Sequence, residues 1–154
     1  MNLLGYTWLA LKDGNATARS IFNRHYSKHL YKDGRKPKLF VGPGEKMVLI
    51  TPECDALFVW RKFKSDDEQV GVNCSVFRNE SSQLSSDLIL EAEILAWDKW
   101  PGERFYTYVA PKKIRSTNPG YCFIKAGWRK CGITKVNKLI ILEKLSIPST
   151  EVQP

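Results

Sequence analysis

The chain has 154 residues, 43% hydrophobic and 26% charged, which suits one folded core and excludes a disordered or fibrous chain. Twenty-four lysines and arginines stand against 16 acidic residues, and the net charge of +8 favours an anionic partner: nucleic acid, an anionic cofactor or an anionic membrane surface. No apolar run reaches bilayer-spanning length, and Met1 to Leu11 lacks the basic start and cleavage site of a secretion signal, so a cytoplasmic protein is expected.

Asn15 to Tyr26 is expected to form a short helix, with Ala16, Ile21, Phe22 and Tyr26 on one face. The basic stretch from Lys28 to Lys38, broken by Gly34 and Pro37, reads as a loop and places Arg35 and Lys36 as nucleic-acid contacts. Three strands follow, Lys46 to Thr51, Ala56 to Phe63 and Val70 to Arg78, joined by short turns as an antiparallel meander. The period then changes: Leu88, Ala92, Leu95 and Ala96 recur at helical spacing, giving a helix from Ser86 to Trp100. Ser85 or Ser86 is expected to cap it, Asp87 suits its first turn, and Pro101-Gly102 stops it. A strand from Arg104 to Ala110 comes next, parallel to Val70–Arg78 because a helix separates them. A helix from about Pro119 to Ala126 ends at Gly127, and Lys138 to Leu145 is the last strand.

The expected fold is therefore α/β (α+β): a mixed, mostly antiparallel central sheet with helices on both faces. Residues 1–146 form one domain and 147–154 a flexible tail. The four cysteines, Cys54, Cys74, Cys122 and Cys131, have no regular spacing and are expected to be reduced and mostly buried. The five tryptophans are either core residues or exposed stacking surfaces.

Two clusters carry chemistry. In the first, a strand ending at Phe77-Arg78-Asn79 runs through small polar residues into a helix, where free N–H groups and the helix dipole make an anion site. Arg78, Asn79, Ser81, Ser82, Ser85 and Ser86 are its candidate ligands; otherwise the serines only cap the helix. The second, Asn118 to Trp128, follows a strand and so lines the same end of the sheet. Phe123, Ile124 and Trp128 read as core there, while Asn118, Tyr121 and Lys125 are site candidates.

The order of elements over residues 45 to 145 resembles that of the GNAT acyltransferases, and Phe123-Ile124-Lys125-Ala126-Gly127-Trp128 is similar to their aromatic-x-Lys-x-Gly-Phe signature. The resemblance implies acetyl-CoA or another acyl-CoA as cofactor, with its pyrophosphate at the Arg78–Ser86 loop. It implies a gap for the pantetheine arm, where Val72–Phe77 splays from Phe105–Val109. Serines stand here where the family has spaced glycines, and Phe123 where it often has a tyrosine that protonates the departing thiolate. Tyr106, Tyr108 and Tyr121 are then the candidate acids, and His25, Tyr26 and Glu80 complete the candidate catalytic set.

A narrower resemblance, to the small phage Mom-type DNA-modification proteins, rests on Arg24-His25-Tyr26, Phe77-Arg78-Asn79 and the polar loop before the Ser-rich helix. It implies DNA as partner and the host cytoplasm as location. Separately, the basic run Lys112, Lys113 and Arg115 borders the cleft and is a candidate contact for phosphates, either of the cofactor or of a nucleic acid; otherwise it is only a solvated charge run. His25 and His29 share a helical face without an acidic or cysteine partner nearby in sequence, so no metal is expected. The alternatives are a non-catalytic nucleic-acid-binding module with Trp60, Trp97 or Trp128 as stacking surfaces, or acyl transfer to a protein or small-molecule amine.

Overall fold

The computed structural model describes residues 8–11, 15–23, 44–63, 69–111 and 120–146. In chain order its elements are β1 (Leu9–Leu11), α1 (Ala16–Phe22), β2 (Glu45–Ile50), β3 (Ala56–Lys62), β4 (Val72–Asn79), α2 (Ser85–Lys99), β5 (Phe105–Val109), α3 (Tyr121–Lys125), β6 (Arg129–Ile133) and β7 (Ile140–Lys144). The strands form one sheet in the order β1-β2-β3-β4-β5-β7-β6. Among the described residues only β4 and β5 pair in parallel, and the other neighbours are antiparallel. This is the mixed, mostly antiparallel sheet expected from the sequence, with its one parallel pair joined through α2.

Two strands escape the sequence reading. β1 is three residues long, too short to show alternation. β6 is exposed at all five positions, so it has no buried face to reveal it. α1 starts as expected: the Asn15 side chain accepts from the N–H groups of Thr17 and Ala18 at 3.0 and 3.1 Å.

Each face of the sheet has its own core. α1 contributes Ala18 and Ile21 against Val48, Ile50, Leu57, Val59 and Val76. The opposite, larger core holds α2 and α3 against Leu49, Phe58, Trp60, Cys74, Phe105 and Leu142. So helices cover both faces.

The tryptophans belong to this second core, which corrects the idea that they are stacking platforms. Trp60 is fully buried, Trp128 nearly so, and Trp97 lies stacked on Phe105 at 4.4 Å between centroids. All five indole N–H groups are used. Trp8 and Trp60 donate to the α2 carbonyls of Leu88 and Ala92, Trp97 to the Glu103 carbonyl, Trp100 to Glu45 and Trp128 to Glu93. High aromatic content here means a large buried area with each polar handle satisfied.

Glu93 ties the layers together. Almost wholly buried on α2, it accepts from Trp128 Nε1 at 2.8 Å and from Lys144 Nζ at 2.7 Å, and Lys144 also donates to the Ala126 carbonyl at the end of α3. Burial pushes the Glu93 carboxyl above its usual range, and the hydrogen bond from Lys144, with that from Trp128, opposes the shift. α3 ends as expected at Gly127, whose φ of +100° suits glycine; its N–H reaches the Ile124 carbonyl while Trp128 N–H reaches Phe123. All four cysteines are free, but only Cys74 is buried and Cys122 half-buried; Cys54 and Cys131 are exposed, against expectation. Both lie where the chain leaves the core, Cys54 in the β2–β3 turn and Cys131 on the edge strand β6.

Candidate functional site

The parallel pair is short and opens at one end. Its rungs are Val72 with Phe105, Asn73 with Tyr106, and Cys74 with Thr107. Beyond Cys74, β4 continues for five residues to Asn79 and β5 for two to Val109, with no further rung between them. The gap expected between Val72–Phe77 and Phe105–Val109 is present only in part: Val72–Cys74 pair with Phe105–Thr107, and the ladder ends at Cys74. Between residues 75–79 and 108–109 runs a slot whose β4 wall has no strand partner on that side among the described residues.

Two local features set where the opening begins. On its other side β4 pairs Val76 with Val59 but Cys74 with Trp60, so Ser75 is an extra residue bulging from the ladder. A bulge bends the strand and sharpens its twist, which turns β4 away from β5 at that position. At the last rung Thr107 Oγ1 donates to the Cys74 carbonyl at 2.9 Å, closing the ladder with a side chain.

The closed end is clamped. Val72 N–H donates to the Arg104 carbonyl at 2.8 Å, and the Arg104 guanidinium reaches the Val70 carbonyl, Gln69 and Glu143. Gly71 has a φ of +123°, and a Cβ there would collide with the Arg104 carbonyl oxygen. Glu143 also pairs with Arg129, and these hydrogen bonds, led by Arg104's, hold its carboxyl below the usual range.

The slot opens toward the N-terminus of α2. No side chain caps this helix: the N-cap is Leu84 with its side chain exposed, which corrects the expectation that Ser85 or Ser86 would serve. The serines and Asn79 organise the loop instead. Asn79 Nδ2 donates to the Gln83 carbonyl and Ser85 Oγ at 2.8 and 2.9 Å, and its Oδ1 accepts from the N–H and hydroxyl of Ser81 at 2.9 and 2.5 Å. Ser81 Oγ accepts from Gln83 N–H at 3.1 Å, Ser86 is buried and Ser82 is exposed. The result is a pre-shaped loop ahead of an uncapped, positive helix end.

The charged candidates at this mouth pair with each other: Arg78 Nε donates to Glu80 at 2.8 Å. Glu80 stands six residues beyond Cys74, about 20 Å along an extended chain, so it belongs to the mouth and not the closed end of the slot. Phe77 points to the side covered by α2 and α3, where its ring meets Phe123 edge-on at 6.0 Å. Cys122 adjoins Cys74 on this side, and burial raises both thiols out of the reactive range. Tyr121 lies half exposed on the first turn of α3, and Lys125 ends that helix, exposed.

Tyr106 and Tyr108 lie on the other face, ring to ring at 5.7 Å. Tyr106 is fully buried on the Asn73 rung under the Arg104 guanidinium, whereas Tyr108 is half-buried and is the first β5 residue past the last rung. The sequence reading missed Asn73, Ser75 and Thr107. Asn73 is buried, donates to Ser75 Oγ at 3.3 Å, and its Oδ1 has no hydrogen-bond partner among the described residues. The signal was available: Asn-x-Ser interrupts a strand otherwise apolar on both faces. His25, Tyr26, Arg35, Lys36, Lys112, Lys113, Arg115 and Asn118 lie outside the described residues.

No group of three or more histidine, cysteine, aspartate or glutamate side chains able to hold a metal occurs among the described residues, and no helix there is long and apolar enough to cross a membrane. No family model matches the chain, and neither the curated proteins nor the solved structures contain a match.

Proposed function

We propose that the chain is an acyl-CoA-dependent transferase whose acceptor is an amine of a nucleic acid. The observation that carries this is the slot between β4 and β5, opening onto the uncapped N-terminus of a 15-residue helix. An unpaired strand edge beside a parting strand suits an extended pantetheine arm, and a helix end behind a pre-shaped polar loop suits a pyrophosphate. The fit is partial at Arg78, whose Nε is engaged by Glu80, so the backbone N–H groups and serine hydroxyls supply most of the phosphate contact.

In this reading the bound acyl-CoA supplies an activated thioester. On the β4 edge beyond Cys74, the backbone N–H groups directed away from β3 stabilise negative charge on the thioester oxygen. Asn73 Oδ1, a buried acceptor without a donor, holds an N–H of the incoming amine at the closed end. The proton for the leaving sulfur is assigned in this reading to Tyr108, the first β5 residue past the last rung. The new N–C bond forms as the C–S bond breaks, and the net proton moves from the amine to the thiol. The cation excess draws the polyanionic acceptor.

Calorimetric titration with acetyl-CoA tests the reading. Saturable binding that weakens when Ser75 is replaced by proline, with the fold intact by circular dichroism, is expected. Absence of any binding heat at high protein concentration, together with retained DNA binding, would instead favour the non-catalytic module.

A further inference from the structure

The charge of the chain is unevenly placed. Residues 120–146 carry Lys125, Arg129, Lys130, Lys135, Lys138 and Lys144 against Glu143 alone, a net +5 of the chain's +8. Lys144 is absorbed by Glu93 and Arg129 by Glu143. Lys125, Lys130, Lys135 and Lys138 are exposed and have no ion-pair partner among the described residues.

These four lysines lie along one border of the molecule. Among the described residues β6 is the outermost strand, paired with β7 alone, and it is exposed at every position. The turn that follows is closed by Thr134, whose N–H and hydroxyl both bond Leu139, and it carries Lys135, Val136 and Lys138 outward. Register places Lys130 opposite Leu142 and Ile133 opposite Ile140, so both face the side that bears α3, whose exposed Tyr121 and Lys125 are one turn apart. β6 from Arg129 to Ile133 is about 13 Å long, and the turn extends the strip beyond it. Ile133 and Val136 are 63% and 88% exposed between the lysines, apolar surface that a folded monomer gains nothing by displaying.

We propose that this edge, β6 with its turn and the outer side of α3, is the surface that grips the nucleic-acid backbone. The proposal rests on the nucleic-acid half of the reading above and adds the place of contact. A second copy of the chain is the other occupant an open edge invites, but a lysine-rich edge repels itself, and the bulge at Cys131, where the register shifts between Lys130 and Gly132, spoils edge-to-edge pairing. A polyanion meets no such obstacle: the lysines neutralise phosphates while Ile133, Val136 and Tyr121 lie against sugars and bases. β6 is two strands from β5, roughly 10 Å, so a duplex on this edge lies beside the slot.

Fluorescence anisotropy with a short labelled DNA duplex, across a potassium chloride series, decides the matter. The variant Lys130→Glu/Lys135→Glu/Lys138→Glu is expected to bind at least about tenfold more weakly at low salt, with a salt slope shallower by about 3. All three side chains are exposed, so its thermal midpoint should stay near that of the wild type. Single-site comparison of Lys130→Glu with Lys99→Glu, an exposed α2 lysine, separates place from net charge. Equal loss in these two, or an unchanged slope in the triple variant, overturns the proposal while leaving nucleic-acid binding in place. A wild-type protein that binds no duplex overturns both, and acetyl-CoA titration then still decides the transferase reading. Sedimentation showing a wild-type dimer that the triple variant dissolves, with DNA binding unchanged, would make the edge a contact between copies and refute it.

Discussion

Asn79 separates the order of the β4–α2 loop from its charge. Its amide makes four hydrogen bonds, to the Gln83 carbonyl, Ser85 Oγ, and the N–H and hydroxyl of Ser81. Asn79→Ala removes them all. At about 1 kcal/mol net per bond the ceiling is roughly 4 kcal/mol, but the loop borders solvent and water replaces most partners, so about 1–2 kcal/mol is expected in urea unfolding. Asn79→Asp keeps both acceptor contacts with Ser81, loses both donor contacts, and adds a negative charge at the first turn of α2, where the helix dipole returns about 0.3–1 kcal/mol. The Asp variant should therefore be the more stable of the two. For acetyl-CoA the ranking inverts if a pyrophosphate sits at this loop. The Ala variant loses a pre-shaped loop and should bind about tenfold more weakly, whereas the Asp variant sets charge against charge and should lose about a hundredfold, or ~2.7 kcal/mol. Calorimetric titration of both variants alongside their unfolding curves measures the two rankings. An Asp variant that binds acetyl-CoA as well as the Ala variant would refute an anion at this loop.

Three further outcomes follow from the clamps around the slot. Lys144→Met leaves the buried Glu93 carboxylate with Trp128 as its one partner among the described residues and should cost about 3 kcal/mol near neutral pH; the loss should shrink in acid, where protonated Glu93 needs no cation, and Glu93→Leu on the same background should recover part of it. Gly71→Ala drives a Cβ into the Arg104 carbonyl at a φ forbidden to alanine, and about 2–4 kcal/mol of stability should disappear in chemical unfolding. Glu143 has a folded pKa below its unfolded value of about 4.3, so its stabilisation is complete above that pH and is lost as pH falls through the folded value. Thermal midpoints measured down through this acid range should accordingly fall more steeply for the wild type than for Glu143→Gln.

The elements with a strong period were legible. Leu88, Ala92 and Ala96 announced α2, the apolar runs announced β2, β3 and β4, and the strand–helix–strand order announced the parallel pair. What the sequence hid has physical causes. β6 buries no side chain, so no pattern marks it. The serines before α2 resemble caps in every local respect, yet Asn79 recruits Ser81 and Ser85 to itself and the N-cap falls to Leu84, an outcome decided by tertiary loop geometry and not by propensity. Tyr106 and Tyr108 are equivalent in sequence, but only the sheet register shows that one lies on a closed rung and the other beyond it.

That register also explains why so much of the chain is spent at one end of a three-rung ladder. Parallel pairs are the weaker kind, and this one gives up its rungs beyond Cys74. A ladder that short would slide or part unless its closed end were fixed. Here Gly71 admits the Arg104 backbone, Arg104 reaches Val70, Gln69 and Glu143, and Glu143 is held by Arg129 from the far strand. The clamp therefore spans β4, β5, β7 and β6 at one level of the sheet. Strands so fixed below the last rung can diverge above it without fraying, and the Ser75 bulge sets the angle. The polar network at the closed end and the open slot are two parts of one arrangement. It follows that weakening the clamp should widen or collapse the slot, even though no clamp residue lines it.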